Sequence, residues 1–262
     1  MKPLDQFPEH CRKKITHVLT DIDGTITVKG RLPSRVFKAM ERLRTAGIHV
    51  VPITGRPAGW CDHIARMWPV GGIVGENGAL CFWFDEAEGK LKKRFFETED
   101  IRTHKRLRLK QIQKEILTSV PGSAVASDQR YRETDLAIDY CEDVSPLGPR
   151  AVDRICEIFK KYDATCKVSS IHVNGWYGDY DKLKMTKIFI QERWGLDLDT
   201  SKERFVFCGD SPNDEPMFEY FTYSVGVKNI LNFTDHMKHL PTFVANMEEG
   251  DGFTELVDTL LA

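Results

Sequence analysis

With 262 residues, 41% of them hydrophobic and 29% charged, the chain is long enough for one large or two modest domains and too apolar to be disordered. Its 37 basic and 39 acidic residues leave a formal net charge of −2, which offers no general attraction to nucleic acid or anionic lipid. The longest unbroken apolar run, Ala79 to Phe84, is six residues and far short of a membrane span. Seven cysteines at 11, 61, 81, 141, 156, 166 and 208 form no C-x-x-C pair, and the N-terminal MKPLDQFPEHCRKK lacks an apolar h-region. The expected location is therefore a reducing cytoplasm, without a disulfide framework or a zinc knuckle.

In chain order, ITHVLT (15–20) predicts a short buried strand running into the acidic turn DIDGT. Pro33 and Ser34 open a helix whose apolar positions Val36, Ala39, Met40 and Leu43 recur at helical spacing, with Gly47 closing it. IHVVPIT (48–54) predicts a second strand, a helix spans about 57–68, and GGIVGENG predicts a third strand. This alternation implies a parallel sheet with covering helices. ALCFWF and LKKRFFE then flank a hairpin turn at 86–89. From 98 to 179 the rhythm changes: a long charged helix (100–118), the strands SAVAS and DLAIDY, a helix near 147–161, and the strands ATCKVSS and IHVNGW. Beyond Lys182, placed in the loop leaving this unit, the α/β alternation resumes. It comprises a helix 184–194, strand 205–210, helix 214–220, strand YSVGV, a helix near 234–239, strand FVANM and a helix 252–261. The pattern predicts one α/β core, residues 1–97 and 180–262, interrupted by an inserted α-β-β-α-β-β cap at 98–179.

The strongest chemical signal is Asp21-Ile22-Asp23-Gly24-Thr25, directly after an apolar strand. Ligands of open α/β sheets bind at the carboxyl ends of the strands, which is where Asp21 falls. Four more segments carry capable groups: Thr54-Gly55-Arg56, Gly75-Glu76-Asn77-Gly78, Lys182, and Gly209-Asp210-Ser211-Pro212-Asn213-Asp214. Each alone reads as a cap, a turn or a solvated charge; together they fall on one edge of one sheet. Asp21, Asp23, Asp210 and Asp214 would bring four carboxylates into one crevice, and such charges cannot all stay ionised uncompensated. One divalent cation, the Lys182 ammonium and a proton on Asp23 balance them, and an oxygen-only site suits Mg²⁺ better than zinc.

These residues, in this order, resemble the four motifs of the haloacid dehalogenase (HAD) superfamily of phosphohydrolases, over nearly the whole chain: DIDGT, Thr54 in PITGR, Lys182, and GDSPND. The inserted cap resembles that of the subgroup with an α/β cap, so the resemblance implies a Rossmann-like parallel-sheet core with an α+β cap. GDSPNDEPMFE and EEGDGFTELVDTLL look most like the mannosyl-3-phosphoglycerate phosphatases, although Leu183 follows Lys182 where those sequences carry Gly. By this resemblance Asp21 would be the nucleophile and Asp23 the general acid and base. Mg²⁺ would be held by Asp21, the main-chain carbonyl of Asp23, Asp210 and Asp214. Thr54 and Lys182 would hold the phosphoryl group, with Gly55 and Asn213 in support. Arg56, Asn77, Arg132, His172 and Asn174 are candidates for reading the rest of the substrate, with Arg130 and Arg132 as grips for a second anion. The polar positions Ser170, His172 and Asn174 of the last cap strand would roof the site or face water. The basic run 104–110 reads as a solvated helix face, so no nucleic-acid partner is expected. The expected activity is Mg²⁺-dependent hydrolysis of a small phosphorylated sugar or related metabolite. A phosphomutase and a non-enzymatic phospho-acceptor module are the alternatives.

Overall fold

The computed structural model describes residues 1–169 and 171–262. The core elements of the first half are β1 (Lys2–Pro3), α1 (Glu9–Arg12), β2 (His17–Thr20), α2 (Ser34–Thr45), β3 (His49–Pro52), α3 (Ala58–Met67), β4 (Ile73–Gly75), β5 (Leu80–Asp85) and β6 (Lys90–Phe95). The cap comprises α4 (Glu99–Ser119), β7 (Ala124–Val125), β8 (Leu136–Asp139), α5 (Pro149–Lys161), β9 (Thr165–Val168) and β10 (His172–Trp176). The chain returns through α6 (Lys182–Trp194), β11 (Phe205–Gly209), α7 (Glu215–Tyr220), β12 (Ser224–Gly226), β13 (Phe243–Val244) and α8 (Glu249–Leu261).

Six strands in the order β1-β13-β12-β11-β2-β3 form a sheet in which each neighbouring pair is parallel. A parallel bridge from Ile53 to Val74 joins its edge to the antiparallel β4-β5-β6 sheet. Because helices cover both faces, the central strands are apolar at successive positions instead of alternating. Val18, Val50 and Val206 pack with α2, α3 and α8, whereas Leu19, Val51, Phe205 and Phe207 pack with α6 and α7. The cap sheet, ordered β7-β8-β10-β9, is antiparallel throughout. Leu136, Ile138 and Val173 point from it into a separate apolar cluster with Ile112 and Ile116 of α4 and Ile155, Ile158 and Phe159 of α5. Residues on the opposite face, including Asn174 and Lys167, which are register partners, turn toward the core.

Several boundaries differ from the sequence expectation. Lys182 is the first residue of α6, not a loop residue; Asp181 caps that helix by accepting from the Lys184 N–H at 2.7 Å. A 3-10 helix over Lys228–His236 replaces the helix expected near 234–239. Only Ala124–Val125 of SAVAS and Phe243–Val244 of FVANM pair as strands. The two-residue edge strand β1, with too little pattern to read, is an addition. In α4, Lys105 pairs with Glu97, Arg106 with Glu133, and Arg108 lies over Tyr177, so these basic side chains are engaged within the chain.

Candidate active site

Asp21 follows β2, Thr54 follows β3 and Asp210 follows β11, all at carboxyl ends of neighbouring parallel strands. The backbone after β2 turns at Gly24, whose φ of +79° favours glycine and where a Cβ would lie 2.6 Å from Asp210 Oδ2. Gly209 admits the other carboxylate: a Cβ there would lie 2.5 Å from Asp214 Oδ2. The acidic cluster thus closes only because two approaching backbones carry no side chain.

Asp21, Asp210 and Asp214 are buried and present oxygens within 4.8 Å of one another. Lys182 Nζ donates to Asp21 Oδ1 at 2.6 Å and to Asp214 Oδ1 at 2.9 Å. Asp210 accepts from Thr25 Oγ1 at 3.0 Å and Asn229 Nδ2 at 3.3 Å, and Asp214 Oδ2 accepts from the Asp210 N–H at 3.2 Å. Burial pushes the Asp21 carboxyl up to about 7, with Asp214 and Asp23 adding to the rise and Lys182 opposing it. Burial, then Asp214 and Asp21, push Asp210 well above the usual carboxylate range, against the Thr25 hydrogen bond and Lys182. Burial disfavours the Lys182 ammonium, but Asp21 and Asp214 outweigh it and raise its pKa. Three carboxylates around one ammonium leave two negative charges, all on oxygen donors. That donor set and that deficit fit one hard divalent cation.

Asp23 stands apart from this cluster. Arg56 donates to both of its oxygens, at 2.8 and 3.0 Å, while stacking on Trp60 and lying 3.5 Å from Glu142 and 3.8 Å from Asp128 of the cap. The Arg56 guanidinium, which nothing in the sequence linked to Asp23, is thus its direct partner. Arg132, expected to grip a second anion, is engaged otherwise: it pairs with Asp128 and Asp135, each at 3.0 Å, and donates to the Gly55 carbonyl at 2.9 Å. Arg130 lies on the Tyr131 ring, outside the site cavity. Glu76, to which the sequence assigned no role, is fully buried and accepts from the N–H groups of Ala58, Glu133 and Thr134 at 2.7–2.9 Å. It fastens the cap to the start of α3. Burial first, then Asp135, push its carboxyl up to about 7 against these donors and Arg132.

A cavity of about 50 Å³ lies between core and cap, lined from below by Asp21, Asp23, Thr54, Gly55, Asn77 and Asn213. From the cap, His172 and Asn174 face it, so the polar side of β10 roofs the site; Ser170 lies outside the described residues. His172 Nε2 is 2.8 Å from Glu142, and Asn174 donates to Asp135 at 3.2 Å. Thr54 Oγ1 accepts from the Arg56 N–H at 3.0 Å, and Asn213 Oδ1 accepts from Ser211 at 2.8 Å. Asn77, at φ +56°, forms the β4–β5 hairpin turn as well as the cavity floor. Asn229, Glu142 and Lys167 went unread because each reaches the site from a segment with no local motif. Thr25 lay within the first motif, where its hydroxyl carried no separate signal.

A family model described as haloacid dehalogenase-like hydrolase matches residues 18–144 and 151–256. The chain belongs to that family. Curated relatives are named phosphoglycolate phosphatase. The protein from Methanosarcina mazei is 27% identical over 94% of this chain and 97% of its own length. Its counterpart from Methanothrix thermoacetophila is 27% identical over 95% and 98%. Among solved structures, a Thermoplasma acidophilum protein superposes with a TM-score of 0.72 at 19% identity, covering 94% of this chain and 98% of that one. The sucrose-phosphatase of Synechocystis, solved with sucrose and phosphate, gives 0.64 at 16% identity, covering 93% and 97%. Both structural likenesses are to the HAD fold with its cap. This chain is accordingly a HAD-type phosphatase. Both curated relatives carry the name of phosphoglycolate, not of the mannosyl-3-phosphoglycerate that the sequence led us to expect.

Proposed function

We propose that this protein is a Mg²⁺-dependent phosphohydrolase of a small phosphorylated acid of the phosphoglycolate kind, acting through an aspartyl-phosphate on Asp21. The observation that carries the reading is the buried Asp21–Lys182–Asp214 arrangement, with Asp210 beside it and Asp23 two residues from the nucleophile. Asp21, Asp210 and Asp214 would hold the cation together with the Asp23 carbonyl. When bound, Mg²⁺ supplies positive charge against the phosphoryl oxygens.

Asp21 attacks phosphorus, a P–O(Asp) bond forms, and the bond to the ester oxygen breaks. Lys182 keeps the attacking carboxylate oriented and stays charged throughout. Asp23 gives its proton to the departing alkoxide and takes one from the water that cleaves the aspartyl-phosphate, which regenerates Asp21 and frees inorganic phosphate. To carry the first proton, Asp23 must be released by Arg56, which also touches cap acids. Proton delivery is thereby tied to the position of the cap.

The cavity is lined largely by polar and charged side chains, which suits a small anionic substrate. The names of the curated relatives agree with this choice over the sugar phosphate first expected. The test is release of inorganic phosphate from 2-phosphoglycolate and from a panel of sugar phosphates, with Mg²⁺ and then EDTA. The expected result is Mg²⁺-dependent turnover of 2-phosphoglycolate that Asp21→Asn abolishes. Undiminished turnover by Asp21→Asn rejects the mechanism; preference for a sugar phosphate rejects the substrate class.

A further inference from the structure

Three Lys or Arg side chains line the cavity, and two are already matched by carboxylates: Arg56 by Asp23, and Arg132 by Asp128 and Asp135. The third, Lys167, makes no ion pair and no side-chain hydrogen bond among the described residues. It projects from β9, the edge strand of the cap sheet, on the same side as its register partner Asn174. Beside it Asn174 Oδ1 is buried with no hydrogen-bond partner among the described residues. Partly buried cations and orphaned buried polar atoms are costly unless a ligand completes them. Burial and then the nearby Lys182 lower the Lys167 pKa, against Asp181 and Asp214.

Building on the reading of Asp21 as nucleophile, we propose that Lys167 is the residue by which the cap recognises substrate: its ammonium binds the carboxylate of a small acid whose phosphate rests on Asp21. One uncommitted positive charge matches one carboxylate. A second phosphate would bring up to two negative charges to a cavity whose other cations are taken, and neutral sugar hydroxyls would leave the ammonium unmatched. Neither a motif nor a strand pattern marks Lys167; only the docking of the cap brings it over the core.

The experiment compares kcat/KM for 2-phosphoglycolate and for its carboxylate-free analogue 2-hydroxyethyl phosphate in wild type, Lys167→Met and Lys167→Arg, all with Mg²⁺. Position 167 is on a half-buried edge strand, and a thermal melt confirms that each variant is folded. Loss of one charge-assisted contact predicts a fall of about ten- to a hundredfold on 2-phosphoglycolate for Lys167→Met, carried mainly by KM. The fall on 2-hydroxyethyl phosphate is expected to be at least about tenfold smaller, and Lys167→Arg to restore most of the preference for the acid. Equal losses on both substrates would place Lys167 on the phosphoryl group and overturn the proposal, as would no loss at all. A wild type that hydrolyses both esters but favours the one without a carboxylate overturns the carboxylate subsite and leaves the phosphatase intact. A wild type that hydrolyses neither overturns the function proposed above and this inference with it.

Discussion

Replacing Lys182 by Met isolates the electrostatics on which the site rests. The side chain is buried and holds Asp21 and Asp214 at 2.6 and 2.9 Å, so its loss strands two buried carboxylates. Breaking one partner out of a buried ion pair costs about 3–5 kcal/mol. In metal-free protein that cost must depend on pH, because the stranded carboxylates can take up protons instead. Asp21 already sits at about 7 in the folded protein, above its unfolded value, and removing the ammonium raises it further. A carboxyl raised on folding favours the folded state at pH below its unfolded pKa, and that advantage is lost as pH climbs through the folded pKa. In wild type the Asp21 contribution levels off near pH 7, whereas in the variant it keeps falling, by up to about 1.4 kcal/mol per pH unit. The two stability curves should therefore run closer at pH 5 than at pH 8. Urea unfolding in EDTA at the two pH values measures this directly. A penalty that is independent of pH, or under about 1 kcal/mol at pH 8, would refute the account of Lys182 as the cluster's counter-charge.

Two further outcomes follow from the same charges. Asp210→Asn removes one of three mutually repelling carboxylates, so its melting temperature in EDTA should rise, by about 2–4 °C per kcal/mol of repulsion relieved. The rise that Mg²⁺ gives wild type in the same melt should shrink sharply, and an unchanged Mg²⁺ effect would remove Asp210 from the metal site. Arg132→Ala leaves Asp128 and Asp135 unmatched and the Gly55 carbonyl without its donor, a loss of about 3–5 kcal/mol in urea unfolding. Wild-type stability combined with altered substrate preference would instead return Arg132 to the role of anion grip that its sequence position suggested.

Much of the core was legible because its signals are local. Val36, Ala39, Met40 and Leu43 lie on one helical face and are all buried, as their spacing requires. DIDGT and GDSPND were readable because clustered carboxylates need strand ends to hold them and small residues to let them approach, and both demands leave a mark within a few positions. The cap order α-β-β-α-β-β was likewise visible from alternating patterns, though its strands are shorter than the segments expected from them. Less legible were pairings across long separations. Arg56 and Arg132 looked like free cations in the sequence, and only in the folded chain do Asp23, Asp128 and Asp135 surround them.

Sequence alone therefore determined the chemistry available at the sheet edge: which carboxylates, which ammonium, and a superfamily whose motifs they match. Tertiary structure decided which charges are spent on one another and which remain free for a ligand. The reason is that Coulomb interaction depends on distance and burial, and both are set when the cap sheet settles onto the core, through contacts such as Glu76 with Thr134 that join residues 58 positions apart.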